Sequence, residues 1–394
     1  MILVAISTLA FLAGVIVTYW LHSEHNMDVV VEPVELPPAL QTPLISVIVP
    51  ARNEERNIKR CVEALLAQTY PKFELIVVDD NSGDATLRIL KEIQNTNLGE
   101  PQADGQTRLQ VVQGKFLPEG WAGKPHALMQ GSRQAQGEWL SFVDGDTFAT
   151  PHLLASTYTR ALQKRADLFT ILTDQELGSF WEKVVLPLVF TALSVGFPAR
   201  RVNDPHKKDA IANGQFILIR RNVYDTIGGH TAVKDRIDED KALAEVVKGS
   251  GFRLVVADGR KLARTRMYTN LVDMWEGWTK NIFLGMRDRL GLLFVGVILG
   301  LVAALALPFW LVGGVAWYSA TREATAAIVA VQALLLWLYL LYKRVQATQA
   351  YRISPAYALT LPLGALVFTA MMFASAFKVL SRQGVAWRGR VYKS

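Results

Sequence analysis

The chain has 394 residues, of which 51% are hydrophobic and 20% charged, and its formal net charge is +7. This composition is too apolar for a purely soluble protein. The middle of the chain also lacks a basic face interleaved with aromatic residues, which argues against a nucleic-acid partner. The single cysteine, Cys61, excludes an internal disulfide and favours a reducing compartment.

Four apolar stretches are long enough to cross a bilayer, namely residues 1–21, 290–318, 324–342 and 354–380. The first lacks a basic start and a small-residue cleavage site, and it ends in Tyr19-Trp20. These features favour an uncleaved anchor over a secretory signal peptide. We therefore predict a multi-pass protein of the cell (inner) membrane whose central domain is cytosolic.

The basic residues do not fit this topology everywhere. Lys343, Arg344 and Arg352 obey the tendency of positive residues to stay inside, and they indicate contacts with anionic headgroups. Three spans after the central domain would instead put the basic tail, residues 387–394, on the outside. Either one C-terminal segment is re-entrant or the tail breaks the rule, and both alternatives stay open.

After an acidic, proline-containing stretch at 22–43, which predicts an extended linker, β-branched runs alternate with amphipathic segments. Strands are predicted at 44–50, 74–80, 109–114 and 138–146, with helices at 54–68, 85–93 and 126–136. This alternation predicts an α/β fold with a mainly parallel sheet flanked by helices.

Beyond residue 150 we predict a strand at 213–221, a helix at 237–251 and a strand at 252–258. The apolar segment 180–198 contains Pro187 and is short, which predicts an interfacial or buried helix rather than a fifth span. The chain thus divides into an anchor, a linker, a domain with interfacial helices and a membrane domain of about three helices. Their ranges are 1–21, 22–43, 44–285 and 286–394.

Carboxylates follow two of the predicted strands. Asp79 and Asp80 close the second strand, while Asp144 and Asp146 flank Gly145 after the fourth. Ligands of such sheets bind at the carboxyl ends of the strands, and paired carboxylates suit Mg²⁺ or Mn²⁺ beside a diphosphate. Chance pairs of surface aspartates are common, however, and an aspartate can simply cap the next helix. No glycine-rich phosphate loop follows the first strand, which excludes a dinucleotide-binding or P-loop fold.

Five motifs in one order resemble those of the family 2 inverting glycosyltransferases with the GT-A fold. They are VIVPARNEE (47–55), LIVVDDNSGDAT (75–86), GWAGKPHAL (120–128), FVDGDT (142–147) and IDED (237–240). Within that family, SFWEKVVLPLVF (179–190), NGQFILIRR (213–221) and WEGWTKN (275–281) are similar to membrane enzymes associated with carotenoid and, less closely, hopanoid glycosylation. The resemblance spans roughly residues 44–260, and it implies a GT-A-type sheet with transmembrane helices at both ends.

The resemblance also implies roles for individual residues. Those expected to bind the nucleotide-sugar are Pro50, Ala51, Asn53, Glu54, Asp79, Asp80, Lys124 and Asp144. Asp146, assisted by Asp144, is expected to hold the metal. Asp240, with Glu239 beside it, is expected to be the general base that removes the proton of the acceptor hydroxyl. On the residues alone, an acidic first turn of a helix is the simpler explanation of this pair.

The residues expected to bind the acceptor are Gln215, His230, Trp275, Trp278 and Lys280. The two tryptophans suit an aromatic belt at a membrane interface equally well. No Q-x-x-R-W motif follows IDED, which argues against polymer synthesis. We therefore expect transfer of one hexose from a nucleotide-sugar, UDP-glucose by preference, to a hydroxyl or carboxyl of a membrane lipid such as a carotenoid or hopanoid. The alternatives are a polyprenyl-phosphate sugar transferase and a non-catalytic membrane scaffold.

Overall fold

The computed structural model describes residues 8, 11, 12, 27, 29–37, 40–97, 108–285, 290–381, 385–387 and 390–392. Three positions of the predicted anchor at 1–21 are among them, and the rest of that prediction lies outside the described residues. The side chain of Lys280 lies outside them as well.

The centre of the molecule is a seven-stranded sheet. Its strands are β1 Ile45–Ala51, β2 Phe73–Asp79, β3 Leu109–Gln113, β4 Trp139–Phe142, β6 Leu168–Leu172, β8 Ile217–Arg220 and β9 Leu254–Asp258. Three short strands, β5 Thr147–Ala149, β7 Asp174–Gln175 and β10 Ala263–Thr265, form a smaller second sheet. The central order is β3-β2-β1-β4-β8-β6-β9, and β8 alone runs antiparallel to its neighbours. The prediction of a mainly parallel sheet is confirmed.

Most helices of the domain cover the two faces of this sheet, and the others pack against the C-terminal helices. The helices are α1 Ile58–Leu66, α2 Thr86–Asn97, α3 Gly123–Gln134, α4 Leu153–Gln163, α5 Phe180–Gly196, α6 Ala199–Asn203, α7 Arg221–Thr226, α8 Glu239–Gly249 and α9 Leu271–Gly285. Val47 of β1 packs in the same apolar cluster as Ile58 of α1, whereas Ile48 packs with Leu128 of α3. Because successive side chains of a strand point to opposite faces, α1 and α3 lie on opposite sides of the sheet.

Part of the predicted linker pairs with the edge of the central sheet. The backbone N–H of Val31 donates to the carbonyl of Asp258 (2.9 Å), and the N–H of Asp258 donates to the carbonyl of Val29 (2.8 Å). Both valines are buried in the core. Residues 29–31 therefore lie against β9 and cover the edge of the sheet that it would otherwise expose.

Three helices follow the domain, α10 Leu290–Thr321, α11 Ala324–Ala350 and α12 Leu361–Leu380, and a 3₁₀ turn at Pro355–Thr360 precedes the last. Segments 304–321, 324–350 and 355–377 are long and apolar enough to cross a membrane. The expected C-terminal apolar helices are thus present. Two short strands, β11 Val385–Trp387 and β12 Arg390–Tyr392, pair antiparallel after them.

Helix α5 connects the domain to these helices. It is continuous through Pro187, and Val184 and Val189 are buried in a cluster with residues of α9 and α12. Arg344 of α11 is 4% exposed, and its Nη2 donates to the carbonyl oxygens of Lys183 (3.2 Å) and Val184 (2.8 Å). The segment predicted as an interfacial or buried helix is therefore held against the apolar helices by packing and by a buried guanidinium.

Candidate active site

Two loops meet at one edge of the central sheet because β8 is antiparallel to β4. Phe142, the last residue of β4, pairs with Ile217, the first residue of β8. The residues that follow β4 and the residues that precede β8 therefore lie side by side. This arrangement places Gly214 next to the carboxylate of Asp144: a β-carbon at position 214 would lie 3.5 Å from Asp144 Oδ2.

Lys124, in the first turn of α3, joins two of the predicted site residues. Its Nζ lies 2.7 Å from Asp144 Oδ1 and 2.7 Å from Glu239 Oε1. Burial by itself would lower the pKa of Lys124, but the carboxylates of Asp144, Glu239 and Asp240 outweigh it and raise that pKa well above its ordinary value. Position 124 therefore carries a permanent positive charge among three carboxylates.

Asp240, in the first turn of α8, accepts two backbone hydrogen bonds. Its Oδ2 accepts from the N–H of Gly214 (3.0 Å), and its Oδ1 accepts from the N–H of Lys241 (2.7 Å). Burial, followed by the nearby charge of Glu239, raises the pKa of Asp240 from 3.8 to about 6, although Lys124 and the two N–H groups act in the opposite direction. This carboxylate is ionised at neutral pH and binds a proton more readily than an ordinary aspartate.

Gly214 is required by the close approach of these side chains. A β-carbon there would lie 2.8 Å from Lys124 Nζ and 3.1 Å from Asp240 Oδ2, which is closer than packed atoms normally come. We assigned no role to this residue from the sequence. The available signal was a glycine just before a predicted strand, where another group often approaches the backbone closely.

The turn at 144–146 rests on the first strand's motif. The Cys61 thiol donates to the carbonyl of Asp144 (3.6 Å), and a β-carbon at Gly145 would lie 3.4 Å from Glu54 Cγ. Within the described part of the chain, no group of three or more histidine, cysteine, aspartate or glutamate side chains could hold a metal ion by itself. The donor set of Asp144 and Asp146 still fits Mg²⁺ or Mn²⁺, because such ions commonly take one or two carboxylates and complete their shell with waters and substrate phosphates.

The predicted nucleotide-binding residues lie at the carboxyl ends of β1 and β2, where two loops interlock. Asn53 donates from its backbone N–H to Ser82 Oγ (3.0 Å), and its Oδ1 accepts from the N–H of Gly83 (2.8 Å). Asn53 has a φ of +53°, in the left-handed region that asparagine tolerates better than most residues. The N–H of Glu54 donates to Thr86 Oγ1 (2.8 Å). Asn53 and Glu54 therefore also hold the two loops together.

The other residues of this set complete the same edge. Asp80 donates from its N–H to the carbonyl of Ala51 (2.8 Å), and Asp79 is almost fully buried at the end of β2. Pro50 lines a small cavity that Lys124 and Asp144 also line. The motifs of the first, second and fourth strands therefore form one continuous surface.

His230 lines this cavity from below but is not accessible. It is 1% exposed, its Nδ1 lies 2.8 Å from the hydroxyl of Tyr224, and its ring stands edge-on to Phe142 at 4.7 Å between centroids. Burial, and then the charge of Lys124, lowers the pKa of His230 to about 3. This imidazole is therefore neutral at physiological pH and packs beneath the site.

Gln215 is fixed by a polar network beside Gly214. Its Oε1 accepts from Gln175 Nε2 (3.1 Å) and from Asn213 Nδ2 (3.2 Å), and the hydroxyl of Thr173 donates to the same oxygen. The side chain is almost fully buried. Gln215 therefore lies next to the site and connects it to β7.

The two tryptophans lie elsewhere. Trp278 is buried among side chains of α5 and α12, with its ring 5.9 Å from that of Phe190, and Trp275 packs at the rim of the same cluster. Neither lines the cavity that Asp240 lines. The structure thus brings together Lys124, Asp144, Gln215, His230, Glu239 and Asp240, while Trp275 and Trp278 lie at the contact between the domain and the apolar helices.

Comparison with known proteins finds relatives of this chain. The glycosyl transferase family 2 model matches residues 46–228. A 4,4'-diaponeurosporenoate glycosyltransferase from Staphylococcus aureus (strain USA300) is 26% identical over 269 residues, which is 66% of this chain and 67% of that protein.

Solved structures show a similar fold. The mannosyltransferase PcManGT from Pyrobaculum calidifontis, in complex with GDP-Man and Mn²⁺, superposes on this chain with a TM-score of 0.50 at 19% sequence identity. The match covers 92% of this chain and 98% of the PcManGT chain. TarS 1–349 from S. aureus, in complex with UDP-GlcNAc, has a TM-score of 0.40 at 17% identity, and the match covers 84% of this chain and 91% of TarS 1–349. The expected GT-A-type fold is confirmed.

Proposed function

We propose that the chain, whose residues 46–228 match the glycosyl transferase family 2 model, transfers a single hexose from a nucleotide-sugar to a membrane lipid, with inversion at the sugar carbon. The observation that carries this proposal is the environment of Asp240. Its carboxylate is held by the N–H groups of Gly214 and Lys241, and its pKa is raised to about 6. A general base works best when its pKa is close to the working pH, so this carboxylate suits proton removal from an alcohol.

In the proposed step the acceptor oxygen attacks the sugar C1 as Asp240 takes its proton. The bond from C1 to the diphosphate oxygen breaks, and its electron pair leaves with the nucleoside diphosphate. A single displacement from the opposite face inverts the configuration, so one base suffices, whereas glycosidases need two carboxylates. Glu239 lies beside the base and contacts Lys124, whose ammonium would face the departing negative charge.

The donor would lie along the surface formed by the first, second and fourth strand motifs. We propose UDP-glucose, with Pro50, Ala51, Asn53, Glu54, Asp79 and Asp80 on the nucleoside side and Lys124 and Asp144 near the diphosphate. Asp146 and Asp144 would hold Mg²⁺ or Mn²⁺, which neutralises charge on the diphosphate. Asp144 and Asp146 are partly exposed, which supports this placement of the metal ion.

The acceptor would be a lipid such as a carotenoid or a hopanoid. The S. aureus relative is named for 4,4'-diaponeurosporenoate, and three apolar helices adjoin the domain of the present chain. We propose a multi-pass protein of the cell membrane, with the domain on the cytosolic side. Gln215 and His230 would then lie on the acceptor side of the base, and Trp275, Trp278 and Lys280 where the lipid enters.

Lipid extracts test the proposal. Cells that express the chain should contain a lipid heavier by one hexose in mass spectrometry, and this species should be absent with Asp240→Asn. Asp225→Asn, at an exposed position of α7, is the matched control and should retain it. Full activity of Asp240→Asn would instead favour an acceptor whose reacting oxygen is already ionised, such as a polyprenyl phosphate. Purified protein that neither binds nor hydrolyses UDP-sugars would favour a scaffold.

A further inference from the structure

A second cavity, of about 290 Å³, opens where the domain meets the apolar helices. One wall comes from β7 and β10 of the small sheet, and another from the turn that follows α11. The side chains that matter here are Asp174, Gln175, Arg264, Arg266, Tyr351 and Arg352. A cavity of this size is comparable with the smaller ligand pockets of proteins.

Guanidinium groups outnumber the carboxylates in this cavity. Asp174 is approached by Arg264 Nε at 3.9 Å and by Arg352 Nη1 at 3.5 Å, and both distances exceed those of a hydrogen-bonded ion pair. Glu176 also lines the cavity, but Arg60, from outside it, binds that carboxylate at 3.1 Å. Asp174 is thus shared by two arginines, and the cavity keeps an excess of positive charge.

Arg266 adds an incompletely satisfied donor to the same cavity. Its Nε is buried and has no hydrogen-bond partner among the described residues, and Glu182 Oε1, at 3.5 Å, likewise lacks one there. The guanidinium lies directly against the backbone of Gly178, where a β-carbon would be 2.2 Å from Nη2. The glycine therefore leaves room for a guanidinium that forms an ion pair with the buried Glu182 and also lines the cavity.

Arg352 brings the cavity to the end of a membrane-length helix. It follows α11, a helix of 27 residues that is apolar enough to cross a bilayer. Its φ of +56° lies in the left-handed region, which is unfavourable for an arginine, and its side chain is 67% exposed. A helix that crosses a bilayer ends at the level of the lipid headgroups, so Arg352 would meet headgroups there.

Two hydrogen bonds connect the inner wall of the cavity to Asp240, the proposed base. Gln175, which lines the cavity, donates to Gln215 Oε1 (3.1 Å). The neighbouring Gly214 donates its N–H to Asp240 Oδ2 (3.0 Å). The cavity and the environment of Asp240 are therefore connected through the neighbouring residues Gly214 and Gln215.

We propose that this cavity binds the anionic headgroup of the acceptor lipid, a carboxylate or a phosphate, through Arg264, Arg266 and Arg352. The proposal rests on the proposed function and narrows its acceptor to acidic lipids. Guanidinium groups are the usual partners of such oxygens because their planar donors match carboxylate and phosphate geometry. The position of Arg352, just after a helix long and apolar enough to cross a bilayer, favours a lipid over a soluble anion.

Lipid retention by the full chain tests this assignment without requiring catalysis. The protein, purified in a neutral detergent, is incubated with oleate, phosphatidylglycerol or phosphatidylcholine, and bound lipid is measured by native mass spectrometry. Oleate or phosphatidylglycerol should be retained in preference to phosphatidylcholine. Arg352→Gln should weaken this retention on the order of tenfold, the value of a hydrogen bond to a charged group.

Two further variants separate binding from a structural role. Arg88→Gln is the matched control, because Arg88 is 66% exposed and also pairs with a carboxylate, but on α2, outside the cavity. It should leave retention unchanged. Asp174→Asn removes the competing carboxylate and should strengthen retention. If Arg352 only holds the turn after α11 against the small sheet through Asp174, then Asp174→Asn would weaken lipid retention as Arg352→Gln does.

Any of three results would overturn the proposal. They are retention of phosphatidylcholine equal to that of phosphatidylglycerol, a loss of retention in Arg88→Gln equal to that in Arg352→Gln, and weaker retention in Asp174→Asn than in the unmodified protein. Inorganic phosphate that displaces phosphatidylglycerol at equal concentration would indicate a free-anion site and overturn the lipid assignment. Asp240→Asn should retain lipid like the unmodified protein, so a failure of the catalytic proposal and a failure of this one give different results.

Discussion

Lys124 Nζ lies 2.7 Å from Glu239 Oε1, so an ammonium from the first turn of α3 contacts a carboxylate at the start of α8. The same nitrogen lies 2.7 Å from Asp144 Oδ1. Three separate parts of the chain, the α3 turn, the loop after β4 and the first turn of α8, are thereby held by one positive charge. A bound metal ion and diphosphate would have to share this environment, so the charge at position 124 affects every group of the site.

Replacing Lys124 by methionine should shift the pH dependence of transfer. Lys124 lowers the pKa of Asp240, so its removal raises that pKa above about 6 and moves the rise of kcat/KM to higher pH. We also expect kcat/KM to fall by roughly 10²-fold, because a charge that faces the leaving group is lost. Lys59→Met, on the exposed face of α1, is the control. An unchanged pH profile would contradict the contact described above.

Asp240 should govern both rate and stability. As the proposed base, it must be ionised, so transfer should rise with pH through about 6 and then level off. Its pKa is raised on folding, so the folded state holds the proton more tightly. Stability therefore falls as the pH rises from 3.8 through about 6. Asp240→Asn should stabilise the protein at neutral pH by at most about 3 kcal/mol.

The extra stability of Asp240→Asn should disappear in acid, because the protonated aspartate of the unmodified protein is then as neutral as the asparagine of the variant. Thermal unfolding of the two proteins across this pH range measures it. A stability difference that does not depend on pH would show that Asp240 is not in the environment described.

Gly214→Ala should damage the site more than the fold. The new methyl group would lie 2.8 Å from Lys124 Nζ, which is the far end of a flexible side chain and can move. We expect kcat to fall by about tenfold or more, since small displacements in a site are costly, while Tm changes little. Gly249→Ala, at the end of α8, has no atom within 4 Å of its new β-carbon and is the matched control. Equal activities of the two variants would argue against a close approach at Gly214.

Chelation should abolish transfer, and Mg²⁺ or Mn²⁺ should restore it. Asp146→Asn removes one of the two proposed carboxylate ligands, so the metal concentration for half-maximal activity should rise by about tenfold or more. Titration of the metal against initial rate measures this change. Activity that persists in excess chelator would be incompatible with the proposed role of Asp144 and Asp146.

Cys61 should be unreactive in the folded protein. Burial, and then the charges of Asp146, Glu54 and Asp144, raises the pKa of its thiol well above the ordinary value, and the thiolate is the reactive form. Iodoacetamide should therefore modify Cys61 only after denaturation, with mass spectrometry as the readout. Because it is the only cysteine, a single mass increment reports unfolding directly. Rapid alkylation under native conditions would refute the buried environment.

The strand ends were predictable because their signal is local. Strands were predicted at 74–80 and 138–146, and Asp79 does end β2, whereas β4 ends at Phe142 and Asp144 lies in the loop that follows it. The direction of β8 was not predictable, because it depends on how the chain returns through β6 and β7. That direction decides that the residues before β8, and not those after it, enter the site.

The start of β8 was also not predictable from the sequence. We predicted a strand over 213–221, but β8 covers only 217–220. Asn213 Nδ2 donates to the carbonyl of Ile171 (2.9 Å), and Gly214 leaves the sheet to meet Asp240. The alternation of apolar residues in the sequence cannot show such contacts. It is the same in a segment that pairs in the sheet and in an adjoining segment that leaves it.

The short strand β6 was missed although its run, LFTIL, has a strand's composition. Trp278 illustrates the opposite problem. An aromatic residue just before an apolar span is typical of an interface, a binding floor and a packing cluster alike. Only the tertiary contact with Phe190 and α12 shows that Trp278 packs.

The buried guanidinium of Arg344 also has a mechanical consequence. It connects α11 to the backbone of α5 through two carbonyl oxygens, and α5 in turn packs on α9 and α12. A pulling force applied between the domain and the apolar helices would therefore load all four helices at once. Under tension the contacts among these four helices should break in one cooperative step.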